Sequence, residues 1–577
     1  MGNDTISSSI YFVMLLAISM AACVSSFAVP SSAKSSSSSS SSFSAEAEAL
    51  LNSDWWGNFS STNHCDLGGI TCNIAGSVTR MEVDSFYYPP KRLSNMSWSS
   101  LPNLKYLDLS YSGFFGGIPG EIGTLSKLTH LDLSHNRQLE GVLPTTLGNL
   151  TELVHLDLLW TDIRGPIPST IGNLRNLIHL YLNSNNLSGS IPPEIGNLKN
   201  LVEMNLGLNH LQGPIPSSIG NLSVLTHLSL HSNKLNGPIP PSIGKLSALT
   251  ELSLYSNQLS GCIPQEIGNL KSLASMDMSF NVLNGPLPSS IGNVSSLTNW
   301  SLRSNKLSGC IPSSIGHLSH LNFLYLDSNK LNGPIPHEIG KLKYLVELNI
   351  SLNNLDGPIP SSIGNLSYLT HLSLHSNQLS SSIPLEIGKL MSLVEMDMSF
   401  NNLNGSIPDS IGGLSSLTNM SLASNMLDGV IPSSIGNLAN LTHLDLRINL
   451  LTGPIPNIIC GLKNLTVLQL SDNLLSGHIP RQIGGLCRLE YLELGRNDLI
   501  GAIPSGLTYL PQLEYLDLSQ NNLFGKIPAC LCLLAAVNLS YNHLEVQIPN
   551  RSLNECPHEL RDLVSISPKK SKVRQEQ

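Results

Sequence analysis

A 24-residue unit, repeated without a slip from Asn185 to Asn521, leaves this 577-residue chain little choice of architecture. Its clearest copy, LRNLIHLYLNSNNLSGSIPPEIGN, runs from Leu174 to Asn197, and Asn185 marks its phase. The same asparagine returns at Asn209, Asn233, Asn257 and onward in steps of 24. A fixed period of this length points to a solenoid, because one unit cannot bury its apolar face alone and must stack on its neighbours. Within the unit, Leu180-Tyr181-Leu182 alternates with period 2, the pattern of a short strand that buries two leucines and shows Tyr181 on the other face. Asn185 carries a donor and an acceptor in one side chain, so a column of such residues can satisfy backbone groups at a turn that no strand pairing reaches. Leu187, Ile191 and Ile195 point back into the core, Gly189 supplies a permissive bend, and Pro192 limits further pairing.

This unit resembles the plant extracellular class of leucine-rich repeat, of the form LxxLxxLxLxxNxLxGxIPxxIGNL. LNGPIPPSIGKL at 235–246 and LDGPIPSSIGNL at 355–366 match it nearly letter for letter. The resemblance covers residues 45–550 and implies an α/β-type solenoid, a right-handed superhelix of about 19–20 repeats of 24 residues. It also implies a parallel sheet on the concave face, a second short strand from the IP segment and a disulfide-bonded N-terminal cap. The family's cap has a helix and a cysteine pair, matched here by EAEALLNSDWW and CDLGGITC. The helix is expected to place Ala47, Leu50, Leu51 and Trp55 on one face, and the resemblance implies a Cys65–Cys72 disulfide over the open core of the first repeat. Leu67 stands where that cap usually carries Trp.

Residues 1–28 read as a signal peptide, since the apolar run IYFVMLLAISMAACVSSFAV is followed by a cleavage site at Ser26-Phe27-Ala28. An N-terminal membrane anchor is the rival reading, as no Lys or Arg precedes the run. Residues 29–44 are a Ser-rich linker with too little apolar surface to order itself. Residues 45–77 form the cap, 78–550 the repeat array and 551–577 a tail whose basic PKKSKVR run reads as solvated. Beyond the leader nothing approaches the ~18 apolar residues that span a bilayer. The ends of the array degenerate, as capping units do. Ser112 and Thr161 replace the ladder Asn, Arg137-Gln138 adds one residue after Asn136, and the loop with Tyr87, Tyr88, Pro89 and Pro90 departs from the unit. Nineteen units count from Leu107 to the one holding Asn542, where Val546 replaces the usual Gly. Larger blocks are duplicated too: MDMSFN at 276–281 returns at 396–401, and THLSLHSN at 226–233 returns at 370–377, so identical surface residues can be copies.

A net charge of -9 with 12% charged residues excludes a nucleic-acid footprint. The sequence holds no phosphate-cradling Gly-rich loop, kinase HRD or DFG set, HExxH or nucleophile elbow, so no enzyme, metal or cofactor is expected. Cys262 and Cys310 share one phase two repeats apart, roughly 10 Å at about 4.8 Å per strand, beyond the roughly 7 Å a bridge allows. Cys460 and Cys487, in adjacent repeats, are close enough to pair, and Cys556 is expected to close the C-terminal end with Cys530 or Cys532. Sequons suited to a secreted glycoprotein include Asn58, Asn95, Asn149, Asn186, Asn221, Asn293, Asn365, Asn404, Asn440 and Asn464, although several arise from the repeat's own GNLS. Asn349, between Leu348 and Ile350, is a further sequon, and a glycan there would obstruct the concave face. His130, His155, His179, His227, His371 and His443 all sit six before the ladder position. That column reads as duplicated surface, with metal binding or charge gathering between pH 5 and 7 as the sharper alternative.

The extended inner surface of a solenoid is its usual binding site. The column just before the ladder residue sets Trp160, Leu208, Phe280, Leu352 and Phe400 among serines, the kind of spacing that suits an extended peptide's side chains. Beside it lie Ser229, His231, Tyr255, Asp277, Arg303, Tyr325, Asp327, Ser373, His375, Asp397 and Arg447. Chains with this cap and array look like the ectodomains of plant leucine-rich-repeat receptor kinases and receptor-like proteins. The resemblance implies an extracellular receptor-like protein of signalling or defence that binds a secreted peptide or another protein and recruits a co-receptor kinase ectodomain. Paired arginines hold the peptide carboxylate in some of these, whereas Arg303 and Arg447 stand isolated here. The chain reaches Gln577 without a membrane span or kinase, which fits a secreted, apoplastic protein, or a plasma-membrane one if it is a receptor fragment. The competing readings are a secreted inhibitor of cell-wall hydrolases, similar to polygalacturonase inhibitors, and a wall-associated adhesion protein, for which SPPP stretches would be expected and none occur.

Overall fold

A computed structural model describes residues 44–56, 63–83, 91–528, 531 and 534–545. The leader, nearly all of the Ser-rich tract, the loop through Tyr87 to Pro90, Asn58, Val546, the tail and Cys530, Cys532 and Cys556 lie outside the described residues.

Two leucines per unit on one strand face, stacked unit on unit, produce one long sheet of 21 strands. It opens with an antiparallel hairpin, Ile70–Cys72 against Val78–Glu82, and continues in parallel from Tyr106–Asp108 to Ala536–Asn538. Leaving out the two hairpin strands gives nineteen repeat strands, matching the nineteen units of the sequence. Most register steps are 24 residues, as in His179↔Glu203, with 26 at the first parallel step, Arg80↔Tyr106, and 21 at the last, Tyr515↔Ala536. The step is 25 at His130↔His155, where Arg137-Gln138 adds its residue. Each strand buries its middle residue, such as Leu180, and the leucines and isoleucines of successive units form one continuous core.

After the strand the chain turns at the ladder asparagine, whose bonds hold its own turn and reach back to the preceding repeat. Asn329 Nδ2 donates to the carbonyls of Leu302 at 2.9 Å and Leu326 at 3.1 Å, while its Oδ1 accepts the Leu307 N–H at 3.0 Å. One side chain thus satisfies buried backbone groups of its own turn and of the preceding repeat, where an unmade bond would cost about 1–3 kcal/mol each. The second strand follows at once. It lies at Asn186–Gly189, upstream of Ile191-Pro192, and not on the IP segment itself as expected. Pro192 has no N–H to offer a ladder, so pairing ends before it, and Pro192 instead caps a short 3-10 helix, Pro193–Asn197. These second strands form sheets of 15 and 5 strands, adjoining at an isolated bridge, Val430↔Thr452. The helical layer of the array is built of such 3-10 turns; the one α-helix among the described residues is Ala45–Asn52 in the cap.

That helix buries Ala47, Ala49 and Leu50. Leu51, expected on the same face, is half-exposed, and Ala49 is buried in its place. Trp55 is 1% exposed and meets Phe114 edge-on at 4.6 Å and Trp98 at 5.8 Å, so the cap is pinned to the first repeats by aromatic packing. Glu46 accepts the Val78 N–H at 2.8 Å, tying the helix to the opening strand. Cys65 and Cys72 are disulfide-bonded, with Cα atoms 5.7 Å apart. Cys262 and Cys310 are unpaired, as their spacing requires. Cys460 and Cys487, whose pairing the sequence left open, are also unpaired: Cys460 is buried, its thiol pushed up to about 11 by that burial, and Cys487 is exposed.

Candidate functional site

Because the middle residue of each repeat strand is buried, its neighbours must face outward, and the expected contact residues fall into three columns on that face of the long sheet. Ser229, Asp277, Tyr325, Ser373 and Asp397 occupy the third strand position. Two residues further come His231, Tyr255, Arg303, Asp327, His375 and Arg447, and one further Trp160, Leu208, Phe280, Leu352 and Phe400.

The third column adopts a left-handed backbone, from φ 52 at Phe280 to φ 57 at Trp160. Side chains there cost roughly 1–2 kcal/mol relative to a right-handed conformation. The turn into the ladder asparagine imposes this on every repeat, and the serines of the column accept it with a small side chain. The five large residues project from it well exposed, from 42% for Trp160 to 59% for Phe400.

Between them the face is organised by contacts across repeats. His231 and Tyr255 stack at 4.5 Å. The Arg303 guanidinium lies 5.7 Å from the Phe280 ring centroid and its Nε 3.3 Å from Asp327 Oδ2. Tyr325 donates its hydroxyl to Glu347, and Tyr181 does the same to Glu203 six repeats earlier. Burial, then the glutamate, drives both tyrosine hydroxyls well above their ordinary range. Farther along, Arg447 Nε meets Asp445 at 3.1 Å and its guanidinium reaches Glu493 at 3.7 Å.

One expectation needs correction. Asp327 is not presented to solvent: it is 1% exposed, covered by the pairing with Arg303, and burial holds its carboxyl above the ordinary range against that cation. Arg303 and Arg447 lie six repeats apart, and each is already engaged by carboxylates. The signal was present for Arg303, because Asp327 follows it by one 24-residue period.

The histidine column forms a ladder at the N-terminal end of the sheet that the contact set omitted. Arg80 sits 3.5 Å over the Tyr106 ring, Tyr106 stacks on His130 at 4.1 Å, and His130 on His155 at 4.4 Å. Burial lowers the His130 imidazole, and burial together with His130 and His179 lowers His155 to about 4. His155 therefore stays neutral across pH 5–7 and does not gather charge there. His130, Asp132 and His155 bring their ligand atoms within 4.8 Å of one another.

Of the sequons, Asn95, Asn149, Asn186, Asn221, Asn293, Asn365, Asn404 and Asn440 are exposed, and Asn464 is half-buried. Asn349 faces outward from its strand, where its Oδ1 accepts from Ser351. A pocket of about 760 Å³ is lined by residues that include Ile383, Pro384, Pro408, Val430, Pro432 and Pro456, none of which belongs to the long sheet. No helix of the described residues is long and apolar enough to cross a membrane.

A family model described as a leucine-rich repeat region matches residues 90–211 and 169–285. A single leucine-rich-repeat model matches eight further stretches, from 320–342 to 512–534. Among solved structures, the plant peptide hormone receptor RGFR1 in complex with RGF2 is 36% identical, with a TM-score of 0.76 and 84% of each chain covered. The ectodomain of the Arabidopsis thaliana receptor kinase GASSHO1/SCHENGEN3, in complex with CASPARIAN STRIP INTEGRITY FACTOR 2, is 38% identical, with a TM-score of 0.67, 78% of this chain and 57% of that one covered. The Arabidopsis receptor kinase HAESA, in complex with the peptide hormone IDA and the co-receptor SERK1, is 32% identical, with a TM-score of 0.66, 86% and 92% covered. The comparison with curated proteins returned no match.

Proposed function

The chain belongs to the leucine-rich-repeat proteins, and from that premise we propose that it is an extracellular recognition protein that holds a secreted peptide or another protein along the outward face of its long sheet. The observation that carries this reading is the likeness, over 84% of each chain, to a receptor ectodomain solved with a peptide hormone. The face itself supports it: large apolar groups held out on polar ground, between aromatic and charged groups already ordered by cross-repeat contacts, are pre-organised to receive an extended chain. Recognition, not catalysis, is the role, in plant signalling or defence, with a co-receptor ectodomain as a second partner. Asn95, Asn149, Asn186, Asn221, Asn293, Asn365, Asn404 and Asn440 are the exposed positions for glycans.

The contact set makes a direct test possible. Phe280 and Phe400 are half or more exposed, at 50% and 59%, so removing their rings disturbs little packing. Phe280→Ala combined with Phe400→Ala is expected to weaken binding of a peptide ligand by about tenfold or more, in line with ~1 kcal/mol or more for each exposed aromatic anchor, while thermal unfolding changes little. Unaltered affinity in calorimetric titration would count against this face. Inhibition of a pectinase by the purified chain would instead favour the cell-wall hydrolase inhibitor.

A further inference from the structure

The outward face of the long sheet is far more acidic than the rest of the molecule. In the nineteen repeat strands, two positions face outward, the first and the third. The first carries Glu203, Glu251, Glu347 and Glu395; the third carries eight more acidic residues, from Asp108 to Asp517, twelve in all. Neither position holds a single Lys or Arg in any of these described strands. The two arginines of the adjoining column are neutralised by carboxylates, Arg303 by Asp327 and Arg447 by Asp445 and Glu493. In the cap strand, Arg80 is likewise paired with Glu82. The whole chain, by contrast, has a net charge of only -9 spread over 577 residues. The face therefore holds more negative charge than the entire protein, and the compensating cations lie elsewhere.

A single-sign surface beside low-dielectric walls focuses its field, draws ligands of opposite charge and repels those of its own. Resting on the reading of this face as a peptide site, we propose that the ligand is a cationic peptide, rich in Lys or Arg, whose side chains meet the first- and third-position carboxylates of successive repeats. Successive strands lie about 4.8 Å apart and an extended peptide advances about 3.3 Å per residue, so a chain crossing the strands meets a new repeat of the face every one to two residues. Glu251 and Glu395 are both exposed at the first strand position, open to such a contact. An anionic peptide, or one whose only strong group is its terminal carboxylate, would find no unengaged cation in these two positions.

Panning the full-length chain against short random peptides, with a chelator present to remove divalent cations, reads the charge of the ligand directly. Retained peptides enriched in Lys and Arg support the proposal. Retained peptides of neutral or acidic character overturn it while leaving peptide recognition standing, and a library that yields no binder overturns both. The enriched peptide then tests the location. Glu251→Lys combined with Glu395→Lys should weaken it about fivefold for each reversed charge and flatten its salt dependence. Glu194→Lys with Asp409→Lys makes the same change in net charge on the exposed short helices, and should leave affinity within about twofold, because separations beyond a Debye length are screened. Equal weakening by the two pairs would mean that overall charge and not this face draws the peptide, and would overturn the assignment.

Discussion

At the scale of single residues, His155 and Asp157 show how burial, with like-charged neighbours, sets opposite demands on residues of one strand. An unfolded His155 takes its proton near the ordinary imidazole pH of about 6.5, the folded one near 4. Between those values the unfolded chain binds more protons, so this histidine makes stability fall as pH drops. Asp157 works the other way. Burial, reinforced by Asp132 and Asp108, raises its carboxyl to about 6, so the folded chain keeps a proton that the unfolded chain has lost, and stability falls as pH rises through that range. The two slopes oppose each other between about pH 4 and 6, and the wild-type chain shows only their difference. Separate removal exposes each one. Relative to wild type, His155→Gln should be better tolerated at pH 4 than at pH 6, whereas Asp157→Asn should be better tolerated at pH 6 than at pH 4. Melting temperatures of the three proteins across that range are the measurement, and parallel profiles would show that neither group is perturbed as its burial requires.

Single turns of the solenoid are held by how closely successive copies approach, which is why two glycines of one unit differ in kind. Gly189 has φ +77, and a Cβ there would meet Pro166 at an ordinary 3.4 Å, so its role is conformational. Gly196 is needed for space: a Cβ would come within 2.5 Å of the Ser218 carbonyl oxygen of the next turn. Gly189→Ala should cost about 1 kcal/mol, the penalty of a left-handed alanine. Gly196→Ala must push two turns apart and should cost about 2–3 kcal/mol, at the upper end for overpacking. Urea midpoints order the two, and a larger loss at Gly189 would contradict the close-approach account. Much at this scale was legible in the sequence, because period 2 at Leu180-Tyr181-Leu182 and the fixed return of Asn185 leave one stacking geometry. The second strand was placed on the IP segment by the family resemblance, whereas Pro192 cannot donate to a ladder, so the chain pairs just before it. The cap helix was legible, but Leu51 was assigned to its buried face, since eight residues give too little periodicity to rank Leu51 against Ala49.

Across the whole molecule the outward columns could be located from sequence, since the period fixes their phase, and the large exposed residues from Trp160 to Phe400 stand where that phase puts them. What the phase gave for engagement was only proximity, as in the one-period offset of Arg303 and Asp327, and not which groups are covered. Asp327 and Tyr325 share the outward side, yet one is covered by Arg303 and the other bound to Glu347, and both partners come from adjoining repeats. Nearest-neighbour stacking also makes the array nearly modular, because each repeat contacts chiefly the ones before and after it. Deleting residues 234–257 joins Asn233 to Gln258, which takes the place of Lys234 in the unit. Every bond of the asparagine ladder then finds an equivalent: Asn281, which donates to Leu254 O at 3.0 Å, meets Leu230 O instead, the carbonyl that Asn257 uses at the same distance. Leu259, which donates to Asn281 Oδ1 at 2.9 Å, is unaffected. Deleting residues 234–245 removes half a unit, places Leu246 after Asn233 and leaves the ladder, both strands and the glycine approach out of phase. The full-unit deletion should fold, with strand content retained and the unfolding enthalpy lowered by about 17 kcal/mol, at ~0.7 kcal/mol per residue removed. The half-unit deletion should lose a cooperative transition or aggregate. Calorimetry and far-ultraviolet circular dichroism on both proteins decide it: failure of the full-unit deletion to fold would mean that contacts beyond nearest neighbours hold the solenoid together.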